Sequence, residues 1–449
     1  MEDNALTTKP IPALIRQISI PASVGFFFST MYNVVDTYYG ALISTQAVAA
    51  MSLSFPVFFI IIALASGIST GTSALIAHAL GEGNRDEAKK YLTQAISFTI
   101  IISLLLSVLG WYFGPYLFKL LGAKGEYLDM ALSYINVIFG GIIIFSLTFI
   151  LNASLTSQGD TKTFRNFLIF GFFLNLFLDP WFMFGGFGLP ALGLAGVAWA
   201  TLFSQFTGVI YMTYKAIKSG ILCKRCGRMF IPEIKYFKEI SKQGLPASLN
   251  MMTVAIGIFI ITYFVAPFGE VAVAAYGIAT RVDQIVLMPA IGLNIACLTL
   301  IGQNNGAKKY DRIREVYKKV LKYGFWIVFV GMSLVLIFAQ PLMSFFSKDQ
   351  EVISIGAKFL RISAITYWAY MVLFISVAAL QGLKQPFYAI WIGIYRQIIG
   401  PMVFFWLLAT FLGFGLSGIW WGIFIITWSA AIITLLYVRH YLKNKLLKN

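Results

Sequence analysis

Residues 46–78 read QAVAAMSLSFPVFFIIIALASGISTGTSALIAH, a stretch without a single Asp, Glu, Lys or Arg. About 20 predominantly apolar residues in a helix already cross a bilayer core, so this segment alone places the chain in a membrane. Working outward, apolar blocks separated by polar or Gly/Pro breaks recur along the whole length. They give twelve candidate helices, near 12–39, 46–78, 92–118, 127–156, 165–186, 191–217, 236–266, 271–303, 317–341, 352–381, 386–412 and 416–439. Composition agrees: 59% of the 449 residues are hydrophobic and 12% charged, where a soluble chain carries about 25% charged residues. Transmembrane β-barrels are excluded, because their strands alternate over about ten residues and do not form long unbroken apolar runs. The expected fold is therefore an all-α polytopic membrane protein with twelve transmembrane helices.

The net charge is +16, from 34 Lys and Arg against 18 Asp and Glu. In a soluble protein such an excess would point to nucleic acid; here its placement assigns orientation. An even number of spans puts both termini on one side, and Lys and Arg in short loops mark the cytoplasmic side. With the termini inside, inner segments hold 27 of the 34 basic residues and outer loops hold Lys119, Lys124 and Lys348. This bias places both termini in the cytoplasm and leaves no call on nucleic acid. The N-terminal segment carries no cleavable signal pattern.

The chain repeats itself. Ile20-Pro21-Ala22-Ser23 recurs as Leu245-Pro246-Ala247-Ser248, an offset of 225, and Ala47-Val48-Ala49-Ala50 recurs as Ala272-Val273-Ala274-Ala275 at the same offset. Gly67 then falls on Gly292, Gly81 on Gly306 and Asp86 on Asp311. Gln158-Gly159 parallels Gln381-Gly382, and Gly193-Leu194-Ala195-Gly196 parallels Gly415-Leu416-Ser417-Gly418. The expected organisation is two pseudo-symmetric six-helix bundles: an N-terminal lobe over 1–217, a basic cytoplasmic linker over 218–235 and a C-terminal lobe over 236–449. Each repeat has an even number of spans, so the halves share one topology, as in transporters with parallel repeats. Two such bundles rocking about a cleft give alternating access.

Acids inside a membrane are expensive and mark ion or substrate pathways. Three fall within spans: Asp36, Asp179 and Asp283. Asn33, Asp36, Thr37 and Gly40 occupy one helical stripe, and Asn175 and Asp179 stand one turn apart. Pro180 removes a backbone donor and so frees a carbonyl on the preceding turn. Carboxylates, an amide oxygen and a loosened backbone suit either a shared proton or a small hard cation with oxygen ligands. The plain alternative is that Asp179-Pro180 kinks its span and Asp36 bonds locally.

The second half contrasts. The counterpart of Asp36 at offset 225 is Ile261, while Arg281, Asp283 and Arg396 stand in spans 8 and 11. They form either a polar cavity for part of a substrate or, the reading favoured by the cost of unpaired buried charge, an Asp283–Arg396 ion pair joining the two spans. Cys223-Lys224-Arg225-Cys226 is a lone CxxC; zinc requires a second ligand pair, and only His78 and His440 are available, so the pair reads as incidental. No GxxxxGK[ST] loop is present, so transport is expected to draw on an ion gradient. With no nucleophile–base constellation, enzyme chemistry is not expected.

Taken together, Pro21 followed by Asn33-Val-Val-Asp36-Thr37, Gln158-Gly159-Asp160, Asn175 with Asp179-Pro180, and Gly193-Leu-Ala-Gly-Val-Ala-Trp-Ala-Thr201 resemble multidrug and toxic compound extrusion (MATE) transporters over essentially the whole chain. The resemblance is to the prokaryotic subgroup whose acids sit in the N-terminal lobe. It implies a secondary antiporter of the plasma membrane, exporting cationic or amphipathic compounds against entering H⁺ or Na⁺. It implies an ion site at Asp36, Asn175, Asp179 and Thr201, further lined by Tyr134 and Asn152, with Pro21 as a hinge in span 1. No cofactor and no metal beyond Na⁺ is implied, and the partners expected are amphipathic small molecules and the bilayer, with a monomer as the working unit. Spans 7 and 10 carry none of the acids found there in some relatives, so C-lobe ion coupling is not expected. A rival from the same general fold is a lipid-linked oligosaccharide flippase, for which Arg281, Arg361 and Arg396 would supply a cationic cavity.

Overall fold

The computed structural model describes residues 4–186, 188–223 and 227–447. Twelve helices among them are long and apolar enough to cross a membrane. They are α1 (Ile11–Ile43), α2 (Gln46–Gly81), α3 (Arg85–Leu120), α4 (Gly125–Ser157), α5 (Lys162–Phe184) and α6 (Leu194–Lys218), then α7 (Ile234–Phe268), α8 (Glu270–Gly306), α9 (Tyr310–Ser344), α10 (Gln350–Gly382), α11 (Phe387–Phe411) and α12 (Gly415–Asn444). Several run past the apolar blocks read from the sequence. α3, for example, starts at Arg85 and not near 92, because Asn84 caps it by accepting the Glu87 N–H at 3.0 Å and Asp86 and Glu87 occupy its positive end. α11 is irregular: Tyr395–Ile399 and Trp406–Phe411 are π-helical turns, where hydropathy suggests one plain span.

The same helix pairs pack in both repeats. α4 lies against α2, α3 and α6, and six helices on, α10 lies against α8, α9 and α12. By packing, however, the chain divides elsewhere than at the linker. One compact unit comprises the chain up to Ser23 together with Leu249 onward; the other is Val24–Ser248. Both divisions fall just past an intrahelical proline, Pro21 in α1 and Pro246 in α7.

The physical reason is close packing onto glycine. In the first unit, a Cβ on Gly292 would meet Ser23 Oγ at 2.2 Å and Ser19 O at 2.4 Å. In the other, a Cβ on Gly67 would meet Ser248 Oγ at 2.1 Å, and one on Gly71 would meet Gly244 N at 2.5 Å. Each repeat thus contributes the first half of its first helix to the unit built from the other repeat.

The stretch entering α7 is tied to α3. Gln94 Nε2 donates to the carbonyls of Met229 and Ile231 at 2.7 Å each, and Gln94 Oε1 accepts the Glu233 N–H at 2.9 Å. Ser97 Oγ donates to Phe230 O at 2.7 Å, Lys90 pairs with Glu233 at 3.1 Å, and Tyr91 OH donates to Glu239. Part of the basic linker is therefore held fast. Lys224, Arg225 and Cys226 lie outside the described residues, and with them the Cys223–Cys226 reading.

Candidate functional site

Inside the unit Val24–Ser248, α1, α5 and α6 bring four of the expected residues together. α5 is short, and its last carbonyls are used by the following chain: Leu192 N–H donates to Phe182 O and Gly193 N–H to Met183 O, both at 3.1 Å. Gly196 then lets α6 start against α5, because a Cβ there would meet Phe182 O at 2.5 Å. This close start places Thr201 beside α1.

At the centre is Asn175. Its Nδ2 donates to Asp36 Oδ1 at 2.6 Å and to Asp179 Oδ2 at 2.8 Å, so the two carboxylates are held within two hydrogen-bond lengths of each other. Thr201 Oγ1 donates to Asp36 Oδ2 at 3.1 Å. Tyr32 OH donates to Asn175 Oδ1 at 3.0 Å, which fixes the amide so that its NH₂ faces the acids. Asp36 is 6% exposed and Asp179 fully buried, yet neither has a cationic partner within ion-pair distance among the described residues. Asp179 Oδ1 accepts no hydrogen bond from a donor among the described residues. A buried carboxylate left so costs several kcal/mol (~3 or more), which a proton or a small cation would relieve. Asp36, Asp179 and Thr201 supply oxygens suited to either, while Asn175 presents its NH₂ to the acids.

Pro180 frees the Leu176 carbonyl, and Tyr39 OH takes it at 3.1 Å. Tyr32 and Tyr39 are thus neighbours of the candidate site that the sequence reading missed. Both lie on the stripe of Asp36, one turn before and one turn after it, and that register was the available signal.

The other expected residues fall outside this cluster. Asn33 and Thr37 are exposed and bond their own helix, to Ser29 O at 3.0 Å and Asn33 O at 2.8 Å. Tyr134 is partly buried against the apolar cluster that includes Ile135, Ile138 and Phe139, while Asn152 accepts from Thr156 at 3.1 Å. Pro21 sits in α1 where the packing units divide.

In the other unit the expected Asp283–Arg396 ion pair does not form. Asp283 instead accepts from Ser363 Oγ at 2.6 Å and Tyr367 OH at 2.5 Å, two α10 hydroxyls one turn apart that satisfy it without a cation. The Arg396 guanidinium lies 5.2 Å over the ring of Tyr370. Arg281 is exposed.

Twelve apolar helices in two repeats, with a buried carboxylate pair inside the unit Val24–Ser248, are the build of a polytopic membrane transporter. The MatE family model matches residues 21–181 and 246–407, one match in each repeat. The chain is similar to the probable multidrug resistance protein YoeA of Bacillus subtilis, 32% identical over 342 residues that cover 74% of this chain and 72% of that protein. It is 28% identical to the FAD transporter of Shewanella oneidensis, over 88% of each. Its fold matches the crystal structure of MATE in the bent conformation with a TM-score of 0.92, at 25% identity, over 100% of this chain and 99% of that one. The chain belongs to the MatE family.

Proposed function

We propose that this protein is a secondary multidrug antiporter that expels cationic or amphipathic organic compounds in exchange for H⁺ or Na⁺ by alternating access. The observation that carries the reading is the Asp36–Asn175–Asp179 cluster, buried without a cationic partner and with Asp179 Oδ1 unused. The name of YoeA supports drug-like substrates. In this reading the coupling ion enters between the two carboxylates and takes up the acceptor positions that Asn175 and Thr201 only partly satisfy. Removal of charge there changes the hydrogen bonding that links α1 to α5 and α6, and α1 bends at Pro21. Coupling follows from the ion binding one conformation more tightly than the other. Asn33, Thr37, Tyr134 and Asn152 line the path of the substrate. The protein works as a monomer without cofactor or nucleic acid, in the plasma membrane, with both termini in the cytoplasm.

The test uses proteoliposomes holding a fluorescent cationic dye. An inward Na⁺ gradient and an inward H⁺ gradient are imposed separately, on the native protein and on Asp36→Asn. Efflux driven by one gradient and lost in the variant is the expected result and names the ion. Dye movement in neither gradient would overturn the reading in favour of the flippase.

A further inference from the structure

In the unit completed by Leu249 onward, the charge of the first site is inverted. Asn175 stands five residues before the intrahelical Pro180 of the fifth helix of its repeat; Arg396 stands five residues before Pro401 in the fifth helix of the other. The acid at position 36 has Ile261 as its counterpart. An acid–amide–acid cluster in one unit is thus matched by a guanidinium in the other.

Three observations concern what that guanidinium is for. First, no carboxylate among the described residues lies within ion-pair distance of it; Asp283, an acid inside a span of this unit, is already satisfied by Ser363 and Tyr367. Its neighbour is Tyr370, whose ring centroid lies 5.2 Å from the guanidinium carbon in a cation–π contact. Second, it sits in the π-helical turn Tyr395–Ile399, a distortion of the kind that collects at functional sites. Gly257 and Gly393 hold that turn tightly against α7: a Cβ on the first would meet Gln397 Oε1 at 2.1 Å, and one on the second Asn250 Oδ1 at 2.5 Å. Third, a further donor in the same region is unused. The indole Nε1 of Trp428, which packs against the cluster of Ala369, Leu373 and Ile392 as Tyr395 does, is buried without a partner among the described residues. A guanidinium without a carboxylate and a buried indole N–H without an acceptor suit an acceptor from outside.

We propose that Arg396, with Trp428 and the Tyr370 ring, forms a site for an anionic group, and that the compounds this protein carries include amphipathic anions or zwitterions. Position 396 is the tenth residue of α11, about 13 Å along a helix that rises 1.5 Å per residue, well below the depth of a resting lipid headgroup. The occupant is therefore the sulfonate, carboxylate or phosphate of a carried molecule. This inference rests on the transporter reading for its physiological sense, but its test does not depend on ion coupling.

The test measures equilibrium binding to the purified full chain in nanodiscs without any gradient, by energy transfer from protein tryptophan. Two dansyl probes are used that differ only in their tails, one ending in a sulfonate and one in a trimethylammonium. Arg396→Gln should weaken the sulfonate probe by tenfold or more and leave the ammonium probe unchanged. Arg396→Lys should restore part of the loss, and Trp428→Phe should cost the sulfonate probe about threefold. Added phosphatidylglycerol separates the sources: no competition is expected for a carried amphiphile, and competition, which would assign the site to a lipid headgroup, overturns the proposal. Equal loss of both probes in Arg396→Gln and Arg396→Lys, or no loss of either, overturns the proposal.

Discussion

The phenol of Tyr39 donates to the Leu176 carbonyl at 3.1 Å, and that carbonyl is the acceptor which Pro180 deprives of its helical donor. A side chain of α1 thereby completes the backbone of α5 beside Asp179. Tyr39→Phe should cost about 1 kcal/mol, read as a fall in melting temperature of about 2 °C. Pro180→Ala returns an N–H to Leu176. In the Pro180→Ala background the Tyr39→Phe cost should therefore shrink well below its value in the native protein. Additive costs would show that the hydroxyl does something else.

Asn175 and Tyr32 should separate in degree. Asn175→Leu strips both carboxylates of their common donor, and ion-driven efflux should fall by about tenfold or more, equivalent to ~1.4 kcal/mol. Tyr32→Phe leaves both amide–carboxylate bonds in place and removes only what orients the amide, so a loss of about threefold, ~0.7 kcal/mol, is expected. Initial efflux rates at matched protein content decide it; equal losses would contradict the orienting role.

Gly67 meets backbone as well as side chain. A Cβ there would lie 2.3 Å from Ser248 N and 2.5 Å from Ser248 Cα. Gly67→Ala should lower the yield of monodisperse protein sharply, by about 3 kcal/mol of overpacking. Ser248→Ala should not rescue it, because the clashing atoms remain. Rescue would mean that the hydroxyl alone sets the spacing.

Gln94 serves three backbone groups of the segment entering α7. Gln94→Leu leaves two carbonyls and one N–H without this partner, at about 1–3 kcal/mol for each that stays dry. Tryptic cleavage at Arg228, an exposed residue on that segment, should quicken several-fold in the variant. An unchanged digestion rate would show that Ser97 and Lys90 hold the segment without it.

Hydropathy revealed the twelve helices because bilayer thickness imposes a length on each of them, and the repeat was visible because its offset stays constant across Pro21, Gly67 and Asp86. The carboxylates of the candidate site were legible through their rarity in apolar surroundings, and Asn175 through its one-turn spacing from Asp179. Tyr32 and Tyr39 were not, since an aromatic residue in an apolar helix carries no label saying whether its hydroxyl is used. The stripe chosen for Asp36 ran through Asn33 and Thr37, whose polarity suggested it; those side chains bond their own helix. Asp283 was assigned to Arg396 by charge alone, whereas two hydroxyls one turn apart on α10 answer its acceptors. The π-helical turns of α11 left no trace in periodicity, because they arise from how that helix meets its neighbours.

The exchange of half-helices at Pro21 and Pro246 bears on ancestry. A single repeat folded alone would leave the groove beside Gly67 or Gly292 unfilled and the first half of its own first helix without a seat. A six-helix forebear would have met both needs by lending that segment to a second copy of itself, as domain-swapped dimers do. Gene duplication and fusion would then have made permanent an arrangement that began as two subunits trading arms.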